Sequence, residues 1–150
     1  MREATTRTRR PAYLRPALIG LVMLGGAVGT TLRAGVAQAF PTASGGWPWA
    51  TFGVNILGAF LLGALSEGLA ALAPQDPRRR ALQLALGTGL LGGFTTYSSF
   101  AVETLTLITH GSAYLALGYA ALSVATGFGA AFVGMSLGRG LALRWRGESR

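Results

Sequence analysis

Hydrophobic residues follow one another along this chain in four long stretches, separated by short polar segments. The stretches cover about residues 16–40, 49–73, 81–103 and 113–137. A helix that crosses the ~30 Å hydrocarbon layer needs about 20 mostly apolar residues, because it rises about 1.5 Å per residue. Each stretch is long enough for one crossing. The pattern therefore predicts an all-α membrane protein with four transmembrane helices.

The segments between these stretches are too short to fold by themselves, so we predict one transmembrane domain over residues 16–138. Basic tails flank it at residues 1–15 and 139–150. The first stretch also resembles a cleavable signal peptide, with arginines, an apolar run and Ala37-Gln38-Ala39 in order. Arg33 lies between the apolar run and that site, so we favour a retained first helix.

Arginine is the only basic residue type, and its distribution is one-sided. Twelve of the 13 arginines lie at residues 2–15, 78–80 and 139–150, which four crossings place on the same side. The opposite segments, 41–48 and 110–112, contain none. By the positive-inside rule, both termini are predicted in the cytoplasm. The same arginines are expected to contact anionic lipid.

Composition agrees with a membrane protein and argues against most enzymes. Hydrophobic residues make up 51% of the 150 positions and charged residues 12%, against about 25% charged in a soluble domain. The chain has no cysteine and a single histidine, His110. Thiol chemistry is thereby excluded, and a histidine-based zinc site is not expected.

Small residues recur at four-residue spacing in each predicted helix, a spacing that lets two backbones approach closely. Four short helices enclose little interior, so we expect some of these faces to contact a second subunit. Packing within one chain is the alternative. The pairs are Gly25 and Gly29, Ala59 and Gly63, Gly89 and Gly93, and Gly134 and Gly138.

The third stretch carries paired glycines and a run of hydroxyl residues near its middle, over residues 87–100. Each glycine weakens a helix by about 1 kcal/mol relative to alanine. Irregular backbone at this depth is tolerated only where protein or a cavity surrounds it. We favour a broken helix whose half-helix carbonyls bind a cation. A continuous glycine-rich helix is the alternative.

Five polar or aromatic residues are candidates for a polar path. Asn55 must find partners across helices or line such a path, because no water is assured at its depth. Tyr97 and Phe100 share a helix face, and their ring edges can contact an anion. Tyr119 and Ser123 share a face of the fourth helix, although Ser123 could instead bond to its own helix.

Three charged residues fall within the predicted helices. Arg33 lies near an outer end, where it can extend to the interface. Glu67 is expected at the cytoplasmic interface. For Glu103 three alternatives remain open: a place in a vestibule, a pair with Arg33, or plain exposure at a helix end.

Three segments, in order, resemble the bacterial CrcB/Fluc family of fluoride channels. They are Gly25–Arg33, Thr51–Phe60 and Gly92–Phe100, the last followed in register by Glu103. The third, Gly-Gly-Phe-Thr-Thr-Tyr-Ser-Ser-Phe, is the most specific. Tyr97 and Ser99 stand where the family usually has phenylalanine and threonine.

The resemblance implies passive export of cytoplasmic fluoride through a bacterial inner membrane. It also implies an antiparallel dimer with two pores and one structural sodium ion, which the backbone carbonyls of Gly92 and Thr95 would hold. The implied fluoride path is lined by Asn55, Tyr97, Phe100 and Ser123, with Tyr119 nearby.

Two other functions stay open at this point. A small proton-coupled multidrug exporter also has four helices, but it needs a carboxylate embedded in the membrane. A non-transporting assembly subunit would not need Asn55 and the hydroxyl run on a shared path.

The charge pattern conflicts with a simple antiparallel homodimer. One sequence that inserts in both directions needs balanced charge, and this chain is strongly biased. We therefore also predict that it pairs with a homologous chain of opposite bias, with the homodimer as the alternative.

Overall fold

The computed structural model describes residues 15–43, 45–72 and 76–148, so residues 1–14 of the N-terminal tail and residues 149–150 of the C-terminal tail lie outside it. All regular structure in these ranges is helical. The helices α1 and α2 are Pro16–Ala39 and Trp49–Leu72. The next run, α3, joins Pro77–Leu82, a π-helical stretch Gln83–Leu91, and Gly92–Phe94. The last two, α4 and α5, are Ser98–Thr109 and Ala113–Glu148.

Three of the described helices are long and apolar enough to cross a membrane, namely α1, α2 and α5. Large apolar side chains cover their outer surfaces: Met23, Leu117 and Val124 are 69%, 69% and 67% exposed. A surface of this kind suits lipid rather than water. The chain is therefore a helical membrane protein, as predicted. The third predicted span is divided between α3 and α4.

The break between α3 and α4 confirms the predicted interruption. Helical geometry ends at Phe94, and Thr95 is extended with φ −77° and ψ 158°. The new helix begins at Ser98. The Thr96 hydroxyl accepts a hydrogen bond from the Ser99 N–H at 3.1 Å. It thereby satisfies one of the free donors at the start of α4.

Glycines bring the backbones of α1 and α3 into direct contact, and the two helices run parallel. A Cβ at Gly89 would lie 2.8 Å from the Val22 carbonyl oxygen, and one at Gly29 would lie 2.8 Å from the Phe94 nitrogen. The contacts advance in the same direction along both helices. No residue larger than glycine fits these positions without moving a backbone.

A second parallel pair consists of α2 and α5. Cβ atoms at Gly134 and Gly138 would collide with the backbone at Phe60 and Ala64, and one at Gly63 would collide with Ala131. The glycines of all four predicted pairs thus pack inside one chain. That some of these faces also contact a second subunit stays a prediction.

The end of the bundle that carries the arginines is built differently from the prediction. Residues 77–80 belong to α3 rather than to a loop, because Pro77 occupies the first turn and the Asp76 carboxylate accepts the Arg78 N–H at 2.8 Å. Two arginine side chains cover the end of α2. Arg79 Nη1 donates to the Leu69 carbonyl at 3.4 Å, and Arg146 Nη1 donates to that of Ala71 at 2.9 Å.

The final helix is longer than predicted and continues past residue 137 to Glu148. Its 36 residues correspond to about 54 Å, well above the ~30 Å hydrocarbon layer. The overhang carries Arg139, Arg144 and Arg146. With Arg15 and residues 78–80, every arginine in the described ranges except Arg33 lies at this end.

Candidate ion pathway at the helix break

Asn55 on α2 holds the main chain where the third helix is broken. Its Nδ2 donates to the Thr96 carbonyl at 2.9 Å, and its Oδ1 accepts the Thr96 N–H at 2.8 Å. Asn55 therefore has hydrogen-bond partners outside its own helix, which is one of the two roles predicted for it. The other role, lining a polar path, stays a prediction. One amide N–H and one oxygen lone pair remain for a further partner.

Two further side chains donate hydrogen bonds to carbonyl oxygens at the break. Arg33 Nε donates to Gly93 O at 3.3 Å, and the Thr95 hydroxyl donates to Leu91 O at 2.9 Å. The arginine lies at the C-terminal end of α3, where the helix dipole favours a positive charge. Among the described residues, no side chain and no backbone N–H outside the helices donates to the carbonyl oxygens of Gly92 and Thr95.

Glu103 binds two hydroxyl groups from neighbouring helices. Thr51 Oγ1 donates to Oε1 at 2.6 Å, and the Tyr119 hydroxyl donates to Oε2 at 2.8 Å. Within the chain, Glu103 therefore pairs with two hydroxyl groups rather than with Arg33, and it is not plainly exposed. A place in a vestibule stays a prediction. Hydrogen bonds to a carboxylate are stronger than neutral ones. The contact fixes α4 between α2 and α5.

Aromatic rings form a continuous series from the break to the start of α2. Tyr97 lies 6.1 Å from Phe100, Phe100 lies 5.2 Å from Tyr119, and Tyr119 lies 5.4 Å from Trp47, between ring centroids. Tyr119 is fully buried at the centre of this series, whereas Tyr97 is 81% exposed at its end. The series brings the predicted residues of α4 and α5 together.

Two buried polar atoms near this series have no hydrogen-bond partner among the described residues: Ser123 Oγ and Trp47 Nε1. Other hydroxyls of the last helix bond to their own backbone, as Ser136 does to Phe132 O at 2.9 Å. Ser123 does not, so its hydroxyl is free for another partner.

Three residues of this site were not predicted from the sequence: Trp47, Thr51 and Thr96. A signal existed for Thr51, since it lies four residues before Asn55 and therefore on the same helix face. For Trp47 and Thr96 the role depends on contacts between helices that no local pattern specifies.

Fold and site together define a helical membrane protein whose buried polar groups surround a broken helix. The family model for "CrcB-like protein, Camphor Resistance (CrcB)" matches residues 20–135. The chain belongs to the CrcB family.

Curated relatives cover most of the chain. It is 46% identical to fluoride-specific ion channel FluC 1 of Cutibacterium acnes, over 75% of this chain and 79% of the relative. It is 43% identical to fluoride-specific ion channel FluC 2 of Leifsonia xyli subsp. xyli, over 95% and 97%. Identity to fluoride-specific ion channel FluC of Novosphingobium aromaticivorans is 42%, over 81% and 95%.

Proposed function

We propose that this protein is a passive fluoride channel that lets cytoplasmic fluoride leave the cell. The observation that carries the proposal is the 43% identity over 95% of the chain to a relative named as a fluoride-specific ion channel. That similarity includes the whole site around the helix break. The proposed activity is transport, and no covalent step is assigned to any residue.

The chemistry of the site supports an anion as the transported species. Fluoride is small and strongly hydrated, so a pore must replace its water with hydrogen-bond donors. The remaining N–H of Asn55, the free hydroxyl of Ser123 and the hydroxyl of Tyr97 are such donors. The positive edges of the Phe100 and Tyr119 rings supply further favourable contacts.

We propose that the fluoride path runs along Asn55, Tyr97, Phe100 and Ser123, with Tyr119 supporting it. The hydroxyl of Tyr97 adds a donor to one ring of this path. Tyr97 is 81% exposed in the single chain, so one chain does not enclose the path. A second subunit that covers Tyr97 would complete it.

The assembly we propose is an antiparallel dimer in which α3 and α4 together form a fourth crossing. The parallel packing of α1 and α3 supports that crossing, because α3 then enters the membrane from the same side as α1. Each subunit would contribute the Gly92 and Thr95 carbonyls to one sodium ion. Backbone oxygens at a broken helix are ligands that sodium accepts, and no side chain in the described ranges donates to either oxygen.

For orientation, we propose a bacterial plasma membrane protein with both termini in the cytoplasm. The arginines gathered at one end support this arrangement. The same bias supports pairing with an oppositely oriented homologous chain rather than with a second copy of this one.

Efflux from proteoliposomes tests the function. We expect rapid fluoride release measured with a fluoride electrode, with no release of chloride under the same gradient and no need for a proton gradient. Proton-coupled release of a cationic drug would instead identify a multidrug exporter. The absence of any flux would favour an assembly subunit.

A further inference from the structure

The indole N–H of Trp47 is a buried donor with no acceptor in the described ranges. Trp47 lies two residues before α2, and its ring packs edge-on against Tyr119 and Phe52, with centroids 5.4 and 5.5 Å away. Nearly all buried polar groups in native proteins are paired, because an unpaired one loses its hydrogen bond to water. A phenylalanine would supply a ring for the same packing without that penalty.

The surroundings of Trp47 contain few other free donors. The hydroxyls of Thr51 and Tyr119 already donate to Glu103. Only the Trp47 N–H and the Ser123 hydroxyl are buried without a partner in the described part of the chain. Ser123 lies one helical turn beyond Tyr119, whereas Trp47 packs on the Tyr119 ring from the end that carries no arginine cluster.

We propose that the Trp47 indole N–H is an anion-binding donor at the mouth of the pathway, where it holds fluoride next to the Tyr119 ring. The proposal rests on the proposed fluoride channel function. Fluoride is an acceptor without hydrogens, so it pairs with an N–H that has no other acceptor. The Glu103 carboxylate, which accepts the Tyr119 hydroxyl, would oppose tight binding, and a conducting site must also release its ion.

Nuclear magnetic resonance of the indole groups tests the site directly. The chain contains three tryptophans, so ¹⁵N-tryptophan labelling in nanodiscs gives three indole signals, assigned with Trp47→Phe, Trp49→Phe and Trp145→Phe. Fluoride should shift the Trp47 signal downfield and saturably, and chloride at equal ionic strength should not. Trp145 is 72% exposed near the end of α5 and serves as the internal control, because the Trp49 ring lies 5.7 Å from that of Trp47. If fluoride does not shift the Trp47 signal, the proposal is wrong, and water is the partner of the indole N–H.

Fluoride efflux supplies a second test with a matched pair of variants. Losing one hydrogen bond should slow efflux about fivefold in Trp47→Phe, while Trp49→Phe should conduct like the unchanged chain. If Trp47→Phe does not fold, benzothienylalanine at position 47 keeps the ring shape and removes only the N–H. Unchanged efflux in either position-47 variant contradicts the proposal. If the unchanged chain conducts no fluoride, the channel function fails, while the titration still reports whether Trp47 binds the anion.

Discussion

Asn55 forms two hydrogen bonds with the main chain of Thr96, one to its N–H and one to its carbonyl. In an unbroken helix, both groups would bond to neighbouring turns. A single side chain from another helix therefore replaces the bonds that Thr96 loses at the break. Breaking the helix in the membrane would otherwise leave unpaired backbone groups, each of which costs several kcal/mol.

We expect Asn55→Asp to abolish fluoride efflux without preventing membrane insertion. An ionised aspartate loses the N–H that holds the Thr96 carbonyl and places a negative charge beside the anion path. Gln83→Glu is the matched control, because Gln83 is an amide that bonds to Ser66 at 3.0 Å, far from the break. Electrode-measured efflux compares the two. Normal efflux in Asn55→Asp with a confirmed ionised aspartate would remove Asn55 from the path.

Tyr119→Phe should lower the free energy of unfolding by about 1–3 kcal/mol, because Glu103 loses a buried donor while the ring contacts remain. Tyr114→Phe removes the same hydroxyl from a side chain that is 94% exposed, so it should change little. Denaturant unfolding in detergent micelles measures both. Equal stability of the two variants would mean that the contact between Tyr119 and Glu103 does not hold α4.

Gly29→Ala should separate α1 from α3, because its new methyl group would meet the Leu90 carbonyl oxygen. Overpacking against a backbone that cannot move costs about 1–3 kcal/mol or more. Gly20→Ala, on the same helix, meets nothing within 4 Å and should gain about 1 kcal/mol of helix stability. Thermal unfolding of the pair checks the packing, and a Gly29→Ala chain as stable as Gly20→Ala would refute it.

A topology reporter fused after Arg150 should give a signal from the cytoplasm only. The reason is the bias of twelve arginines against none in the segments flanking the helices. A reporter after Thr109 should give the opposite result. Comparable signals from both sides would contradict fixed orientation. Fluoride resistance from this chain expressed alone would contradict the need for a second homologous chain.

The lengths of α1 and α2 were predictable from the sequence, but the contacts between helices were not. The apolar stretches define α1 and α2 because each one must cross the membrane. The glycine spacing at Gly25 and Gly29 is the same for packing inside a chain and between chains, so it could not reveal the partner. Asp76 followed by Pro77 is typical of a helix start. The three arginines that follow instead led to the prediction of a polar loop.

Residues of the candidate site could be predicted from the sequence only where a polar side chain lies deep within an apolar stretch. Asn55 stood out because an amide at that depth needs partners. Its actual partner, the Thr96 backbone, depends on how α2 meets the break. Glu103 left three alternatives open because its hydroxyl donors, Thr51 and Tyr119, come from two other helices.

Parallel pairing of α1 with α3 and of α2 with α5 determines when the protein can assemble during its synthesis. Helices adjacent in sequence, α1 and α2, share few contacts. The glycine groove of α1 at Gly29 has no packing partner until Phe94 has left the ribosome. The glycine groove of α2 at Gly63 has none until Ala131 has been made. At about 5–20 residues per second, the first two helices remain unpaired in the membrane for several seconds. Assembly is therefore completed only when the last helix arrives, and a nascent chain truncated before it retains an open glycine groove.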